Sequence, residues 1–218
     1  MFRPRQCFGW LLLLSVGCAT TASSERAQIY NDDGVYLFAH GQYHPALECF
    51  ELALTLQPGD AGLLFNAGQC HDRLGQPDIA EKYYLESLQR SARHAEARQA
   101  YVALLYRTGR AEQANLLIDD WLHQQPDLAD VYVLDAWRLR QQNAIPQAHG
   151  RLQQALALDP HNSRGLTELA IIYEQTGMPE RAYVLYERIL GNEPRQFEIA
   201  QHLEELRAKG VQRPLPEQ

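Results

Sequence analysis

Cysteine is scarce: four in 218 residues, at positions 7, 18, 49 and 70. That is no disulfide framework, so the chain must be held together by an ordinary apolar core. Long apolar runs are missing too. The run from Phe8 to Val16 falls well short of the ~20 residues a membrane-spanning helix needs. Positive charge is in deficit, with 20 Lys and Arg against 27 Asp and Glu, a net −7. Nucleic-acid binding demands a basic face and is excluded; solubility and a basic partner fit better. There is no glycine-rich phosphate loop, no Gly-x-Ser-x-Gly elbow and no His-Glu-x-x-His. The eight histidines are scattered. His40 and His44 stand four apart, but Gly41 breaks the helix between them, and two ligands are too few for a structural zinc. No catalytic residue, metal site or cofactor is predicted, and the chain is read as a non-enzyme.

What the chain has is a period. Ala46, Ala80, Ala114, Ala148 and Ala182 are each 34 residues apart. Five residues before each stands a turn-former: Gly41, Gly75, Gly109, Asn143 and Gly177. Eight after each stands a leucine: Leu54, Leu88, Leu122, Leu156 and Leu190. Proline closes the unit at Pro58, Pro126, Pro160 and Pro194, with Ala92 in that slot of the second unit. A fixed period of this length marks a stacked array of helical hairpins.

Each slot has a physical reason. The first helix of a hairpin must stop and reverse, and glycine takes the left-handed backbone needed there without steric cost. Asn143 is the next best choice. Pro45, Pro77, Pro146 and Pro179 lie near the start of the following helix, where the backbone N–H has no partner to lose. The alanine slot lets two helices approach closely, and Phe50, Tyr84 and Tyr186 fill the space between them. The final proline ends the second helix.

These residues resemble the tetratricopeptide repeat, whose pattern sets a small residue at slot 8, Gly at 15, Ala at 20, an aromatic at 24, a small residue at 27 and Pro at 32. Slot 8 reads Gly34, Gly68, Val102, Ala136 and Ala170; slot 27 reads Ala53, Ser87, Trp121, Ala155 and Ile189. The third unit departs most, with Val102 and Trp121 in small-residue slots. The resemblance implies an all-α fold, a right-handed α-solenoid of five hairpins over 27–60, 61–94, 95–128, 129–162 and 163–196, with a capping helix at 197–210 and a flexible tail at 211–218. Helices are expected at about 28–40, 44–57, 62–74, 78–91, 96–108, 112–125, 130–142, 146–159, 164–176, 180–193 and 197–209. In the last, Phe197, Ile199, Ala200, Leu203 and Leu206 form the apolar face of a terminal cap.

In this family the first helix of each hairpin lines a concave groove that binds a protein or peptide. Carried onto this sequence, the groove residues are Asn31, Phe65, Gln69, Asp72, Gln99, Tyr106, Arg107, Val133, Trp137, Arg140, Thr167 and Glu174. Phe65, Tyr106 and Trp137 are expected as apolar anchors, and Arg107 and Arg140 as partners for carboxylates. The family's clamp for chaperone tails is matched only by Asn66, which argues against that role.

Residues 1–17 read as an export signal: Arg3 and Arg5, then a short apolar run. Ser15-Val16-Gly17-Cys18 resembles a bacterial lipobox, which implies a lipidated (palmitate-bearing) Cys18 and membrane attachment; ordinary cleavage after Ala19 or Ala22 is the other reading. Residues 18–26 then form a tether with nothing to bury. With Arg3 and Arg5 removed, 18 bases remain against 27 acids, or −9. Cys49 and Cys70 fall on neighbouring helices, where a disulfide and two small buried apolar groups are both open. The expected function is an exported, membrane-anchored scaffold for protein–protein interaction in envelope assembly: pilus, secretion or cell-wall machinery. An outer-membrane lipoprotein facing the periplasm is expected, with a soluble periplasmic or secreted protein as the alternative. The alternative roles are a self-associating assembly component and a non-catalytic adaptor that delivers substrate to a partner enzyme; the oligomeric state stays open.

Overall fold

A computed structural model describes residues 11–194 and 196–213, with side chains from Ala22 onward. The described residues form eleven α-helices and no strand. They are α1 (Leu11–Ala39), α2 (Tyr43–Leu56), α3 (Ala61–Arg73), α4 (Pro77–Arg90), α5 (Ala95–Arg107), α6 (Ala111–Gln124), α7 (Ala129–Gln141), α8 (Ile145–Leu158), α9 (Ser163–Gln175), α10 (Pro179–Asn192) and α11 (Phe197–Ala208). From α2 to α10 every helix begins and ends one residue before its expected bound. The chain divides into two compact units, Met1–Arg110 and Ala111–Gln218. The division falls between α5 and α6, inside the repeat whose small-residue slots hold Val102 and Trp121.

Hairpin turns are made the same way throughout. The backbone is left-handed at Gly41 (φ 73°), Gly75 (74°), Gly109 (78°), Asn143 (58°) and Gly177 (75°), the five positions the period marks. The next residue's N–H reaches back five residues: Gln42 to Leu37 O (3.0 Å), Gln76 to His71 O (2.9 Å), Arg110 to Leu105 O (2.8 Å), Ala144 to Leu139 O (2.8 Å) and Met178 to Tyr173 O (2.8 Å). This is the Schellman closure, which satisfies carbonyls a helix end would otherwise leave bare. At the opposite ends, Asp60 accepts from Leu63 N (2.9 Å) and Asn162 from Gly165 N (2.8 Å), both N-caps.

In the first unit, α1 pairs with α2 and α3 with α4. Ala46 and Ala80 are fully buried. The small residues at slot 8 are required by the aromatics at slot 24: a methyl group on Gly34 would lie 2.6 Å from Phe50 Cε1. One core cluster gathers Ala27, Phe50, Ala53, Leu63, Ala67 and Cys70. In the second unit, α7 pairs with α8 and α9 with α10, around Ala136, Leu152, Ala155 and Ile172. The cap helix α11 adds Ile199, Leu203 and Leu206 to a cluster with Tyr186 and Ile189.

Several expectations are corrected. Phe197, the first residue of α11, is 86% exposed and takes no part in the cap's apolar face, which is made by Ile199, Leu203 and Leu206. The start of the tail is docked: Val211 N donates to Leu206 O (3.0 Å), Val211 packs on the α11 cluster, and Arg213 lies 3.7 Å from Glu187. Residues 214–218 lie outside the described ones. Residues 18–26 are helical, an N-terminal extension of α1, although no side chain from Ala22 to Arg26 is buried. Extending a nucleated helix adds a hydrogen bond for each residue fixed, so it needs no core. The side chain of Cys18 and the whole of residues 1–10 lie outside the described residues. Cys49 and Cys70 are both free thiols, so the disulfide reading is not followed. Among the described residues no helix is long and apolar enough to cross a membrane.

Candidate functional site

The first unit carries an open pocket of about 260 Å³ where α3, α4 and α5 meet. Its walls include Gln69, Asp72 and Arg73 of α3, Tyr84 of α4, and Ala103 and Arg107 of α5. Three of these, Gln69, Asp72 and Arg107, were expected in the groove: Gln69 and Asp72 at positions 9 and 12 of the second repeat, and Arg107 one residue past position 12 of the third. Helical periodicity puts Gln69 and Asp72 together: three residues apart, they are about one turn apart and share a face. Arg107 forms an ion pair with Asp72 across the mouth, with the arginine 56% and the aspartate 18% exposed. Arg73 is exposed, its guanidinium carbon 6.0 Å from the centre of the Phe38 ring. Tyr84 closes the floor. Burial pushes its phenol above the usual tyrosine range, so the floor carries no charge. The pocket therefore presents two cations, one carboxylate and an amide over an aromatic floor. Arg73 and Tyr84 were not foreseen; their only signal is adjacency in space to slots the period already marks.

A second hollow of about 140 Å³ lies between α1 and α3, where Asn66 Nδ2 donates to Asn31 Oδ1 (2.9 Å). Asn31 is thus placed as expected, but its amide oxygen is engaged within the unit. Gln99 is exposed on α5 and Tyr106 half-buried. Phe65 is not an anchor. It is buried, edge-on to His94 at 5.1 Å and 6.0 Å from the Tyr84 ring, so it serves the packing inside its own repeat.

In the second unit most of the expected groove residues are turned to internal work. Val133 is buried in the core cluster. Arg140 Nε donates to Glu168 Oε2 (2.9 Å), with both side chains largely buried. Burial pushes the Glu168 carboxyl above its ordinary range, against the opposing pull of Arg140. Thr167 donates its hydroxyl to Ser163 O (2.8 Å), and Glu174 accepts from the Tyr186 phenol (2.7 Å). Trp137 is half-buried. Sequence reasoning also missed a buried carboxylate, Asp135. Arg138 Nη2 lies 2.5 Å from Asp135 Oδ1 and Arg151 Nε 2.5 Å from Oδ2, while Arg138 also holds Asp119 at 2.7 Å. An Asp between Leu134 and Ala136 on the inward face of a helix was the available signal.

The fold is thus built of helix–turn–helix repeats, three of which set a small residue against an aromatic at the same two positions (Gly34 and Phe50, Gly68 and Tyr84, Ala170 and Tyr186), a class whose domains bind protein or peptide partners. Tetratricopeptide repeat models match residues 32–92 and 139–208. The Photosystem I assembly protein Ycf3 of Synechococcus elongatus is 32% identical over 130 residues, 58% of this chain and 74% of that protein. Human protein O-mannosyl-transferase TMTC1 is 26% identical over 171 residues, 77% of this chain but 19% of its own length. Among solved structures, the tetratricopeptide protein TTC0263 of Thermus thermophilus superposes with a TM-score of 0.62 at 24% identity, covering 84% of this chain and 99% of that one. PilF of Pseudomonas aeruginosa gives 0.53 at 16% identity, over 87% of this chain and 88% of the other. The chain belongs to the tetratricopeptide repeat family.

Proposed function

We propose that the chain is a non-catalytic scaffold that holds a segment of a partner protein in the α3–α5 pocket of the first unit. The observation that carries this is the Asp72–Arg107 pair. It sits at the mouth of a pocket, and its arginine is more than half exposed. An ion pair in such a setting contributes little to folding, so it can be exchanged for a partner's charges without loss of the fold. Arg107 and Arg73 take a carboxylate, Asp72 takes a base, and the Tyr84 floor takes an apolar side chain. The finer reading is that this scaffold is exported, anchored through a lipid on Cys18, and works in envelope assembly on pilus, secretion or cell-wall machinery, at the periplasmic face of the outer membrane. Support comes from the Ser15-Val16-Gly17-Cys18 pattern behind a short apolar run and, more distantly, from a relative named as an assembly protein. Two acyl chains or more give the stable attachment such a site requires.

The test is a photo-crosslinking residue placed at Gln99, beside the pocket, in the producing cells. It should capture a discrete partner, and Arg107→Glu with Arg73→Glu should abolish the capture while the helical spectrum is unchanged. Capture that survives both reversals would remove the pocket from the reading. Separately, Cys18→Ser should lose palmitate labelling and move the protein from the membrane to the soluble fraction; unaltered fractionation would remove the anchor and leave the pocket standing.

A further inference from the structure

The groove between α10 and α11 has the wrong sign for its chain. It encloses about 720 Å³ and is floored by Val184, Leu190 and Leu203, with Arg188, Arg207 and Arg213 around it and Glu187 the single acid in its lining. Arg207 is engaged by Glu204 (2.6 Å) and by the Tyr183 phenol (3.1 Å), and Arg213 lies 3.7 Å from Glu187. Arg188 donates to the Pro160 carbonyl (2.8 Å), which leaves its charge without a carboxylate among the described residues. A basic, apolar-floored groove on a molecule of net charge −7 calls for an acidic occupant with apolar side chains.

The same chain carries such a surface. On α1, Ala27, Tyr30, Gly34 and Leu37 face inward. The opposite stripe, Glu25, Ile29, Asp32 and Tyr36, recurs at the helical spacing of four, three and four and is exposed throughout. Ile29 is 58% and Tyr36 63% exposed, large side chains open to solvent, the Tyr36 ring with that of His40 at 4.2 Å on one side. Asp33 extends the acidic edge. The only base between Ala22 and Tyr36 is Arg26, about 100° round the helix from Glu25. The stripe has the form of an amphipathic helix that docks by alternating apolar and acidic contacts.

We infer that the α1 stripe of one copy docks into the α10–α11 groove of a second copy, a head-to-tail contact in which Ile29 and Tyr36 meet Val184, Leu190 and Leu203 while Glu25, Asp32 and Asp33 meet Arg188, Arg207 and Arg213. This surface is separate from the α3–α5 pocket and does not depend on it. The contact is heterologous: each copy offers one donor face and one acceptor groove, so the assembly grows past a dimer unless it closes into a ring.

The test uses the full chain in mild detergent, followed by sedimentation velocity over a wide concentration range. Mass should rise with concentration beyond the dimer, and added salt should reduce it, since the contact is partly exposed charge. Asp32→Arg with Asp33→Arg, and separately Arg188→Glu with Arg213→Glu, should each weaken association at least about tenfold, because like charges then face each other. All four positions are at the surface, and unchanged circular dichroism confirms that each variant is folded. Mixing the two variants is the decisive arm. Each keeps one intact element of the wild-type contact in the wrong partner, but their reversed faces are complementary to one another. The α1 stripe of the arginine-reversed variant and the groove of the aspartate-reversed variant are native and pair as in the wild type, while the two reversed faces pair with each other, so the mixture should form alternating assemblies of one-to-one composition that grow past the dimer, and a molecule carrying all four changes should regain association with itself. A wild-type chain that stays monomeric, or a mixture that stays monomeric while the wild type associates, overturns the inference.

Discussion

Gly68 of α3 lies against the ring of Tyr84 in α4: a methyl group on its α-carbon would stand 2.8 Å from Tyr84 Cε1 and 3.1 Å from Tyr83 Cβ. Ordinary carbon contacts are about 3.5–4.0 Å, so the hairpin closes to this distance only because glycine is there. Gly68→Val should cost about 1–3 kcal/mol by overpacking. Gly150, inside α8, has nothing within 4 Å of the same position. Gly150→Ala should stabilise by about 0.5–1 kcal/mol by removing backbone freedom from the unfolded chain. Urea unfolding of the two variants measures both; equal midpoints would contradict the assignment of the small-residue slot.

Asn143 holds a left-handed backbone (φ 58°) at the α7–α8 turn. A β-branched residue resists that conformation. Asn143→Val should lose about 1–2 kcal/mol, and Asn143→Gly should match or exceed the parent. The order Gly ≥ Asn > Val in thermal midpoint is the check.

Asp135 is fully buried between Arg138 and Arg151. Removing one member of a buried pair strands the charge of the others, a loss of about 3 kcal/mol or more. Asp135→Ala should fall by that much, while Asp120→Ala, at an exposed position of α6, should change stability little. Similar unfolding midpoints for the two would mean the buried carboxylate is not a structural centre.

Glu81 accepts a two-pronged hydrogen bond from Arg110, Nη1 to Oε1 at 3.0 Å and Nη2 to Oε2 at 2.7 Å, and a third from the Tyr101 phenol (3.1 Å). The hydrogen bonds from Arg110 hold its carboxyl below the ordinary carboxylate range. A carboxyl whose folded pKa is lowered stabilises the fold above its unfolded pKa, about 4.3, and that stability goes as pH falls through the folded value. Glu81→Gln should therefore be less stable than the parent at pH 7, with the gap narrowing below about pH 4. A gap independent of pH would assign the loss to packing.

Cys70 is fully buried and burial pushes its thiol up to about 12; Cys49 is half-exposed. Only the thiolate alkylates at a useful rate. Native protein treated with iodoacetamide should be modified at Cys49 well before Cys70, and both should react once the chain is denatured without reductant. A failure of both to react under those conditions would restore the disulfide.

The array was legible in the sequence because its constraints are local and repeated. A left-handed turn needs glycine or asparagine wherever it falls, and a close crossing needs alanine or glycine opposite an aromatic. The turn recurs every 34 residues and the crossing pair returns in the first, second and fifth repeats, each met by residue type alone, as Gly75, Gly68 and Tyr84 show. The groove was legible only in part. Gln69 and Asp72 lie where slot arithmetic puts them, and Arg107 one residue beyond its slot, but the same arithmetic nominated Phe65, Val133 and Arg140, which the structure uses internally. A slot says which face a side chain leaves from; it does not say what waits opposite.

The sequence by itself determined the helices, their turns and the class of fold, because backbone hydrogen bonding and steric exclusion act over a few residues and leave a periodic trace. Only tertiary structure decided which charges remain for a partner. Arg140 and Arg107 stand one position apart in the register of their repeats, yet Arg140 is held by Glu168, 28 residues away, in a largely buried pair, and Arg107 meets Asp72, 35 residues away, at an open mouth. The two differ in how much water surrounds them, and burial of that kind is fixed by chain segments far apart in sequence that meet only when the repeats stack.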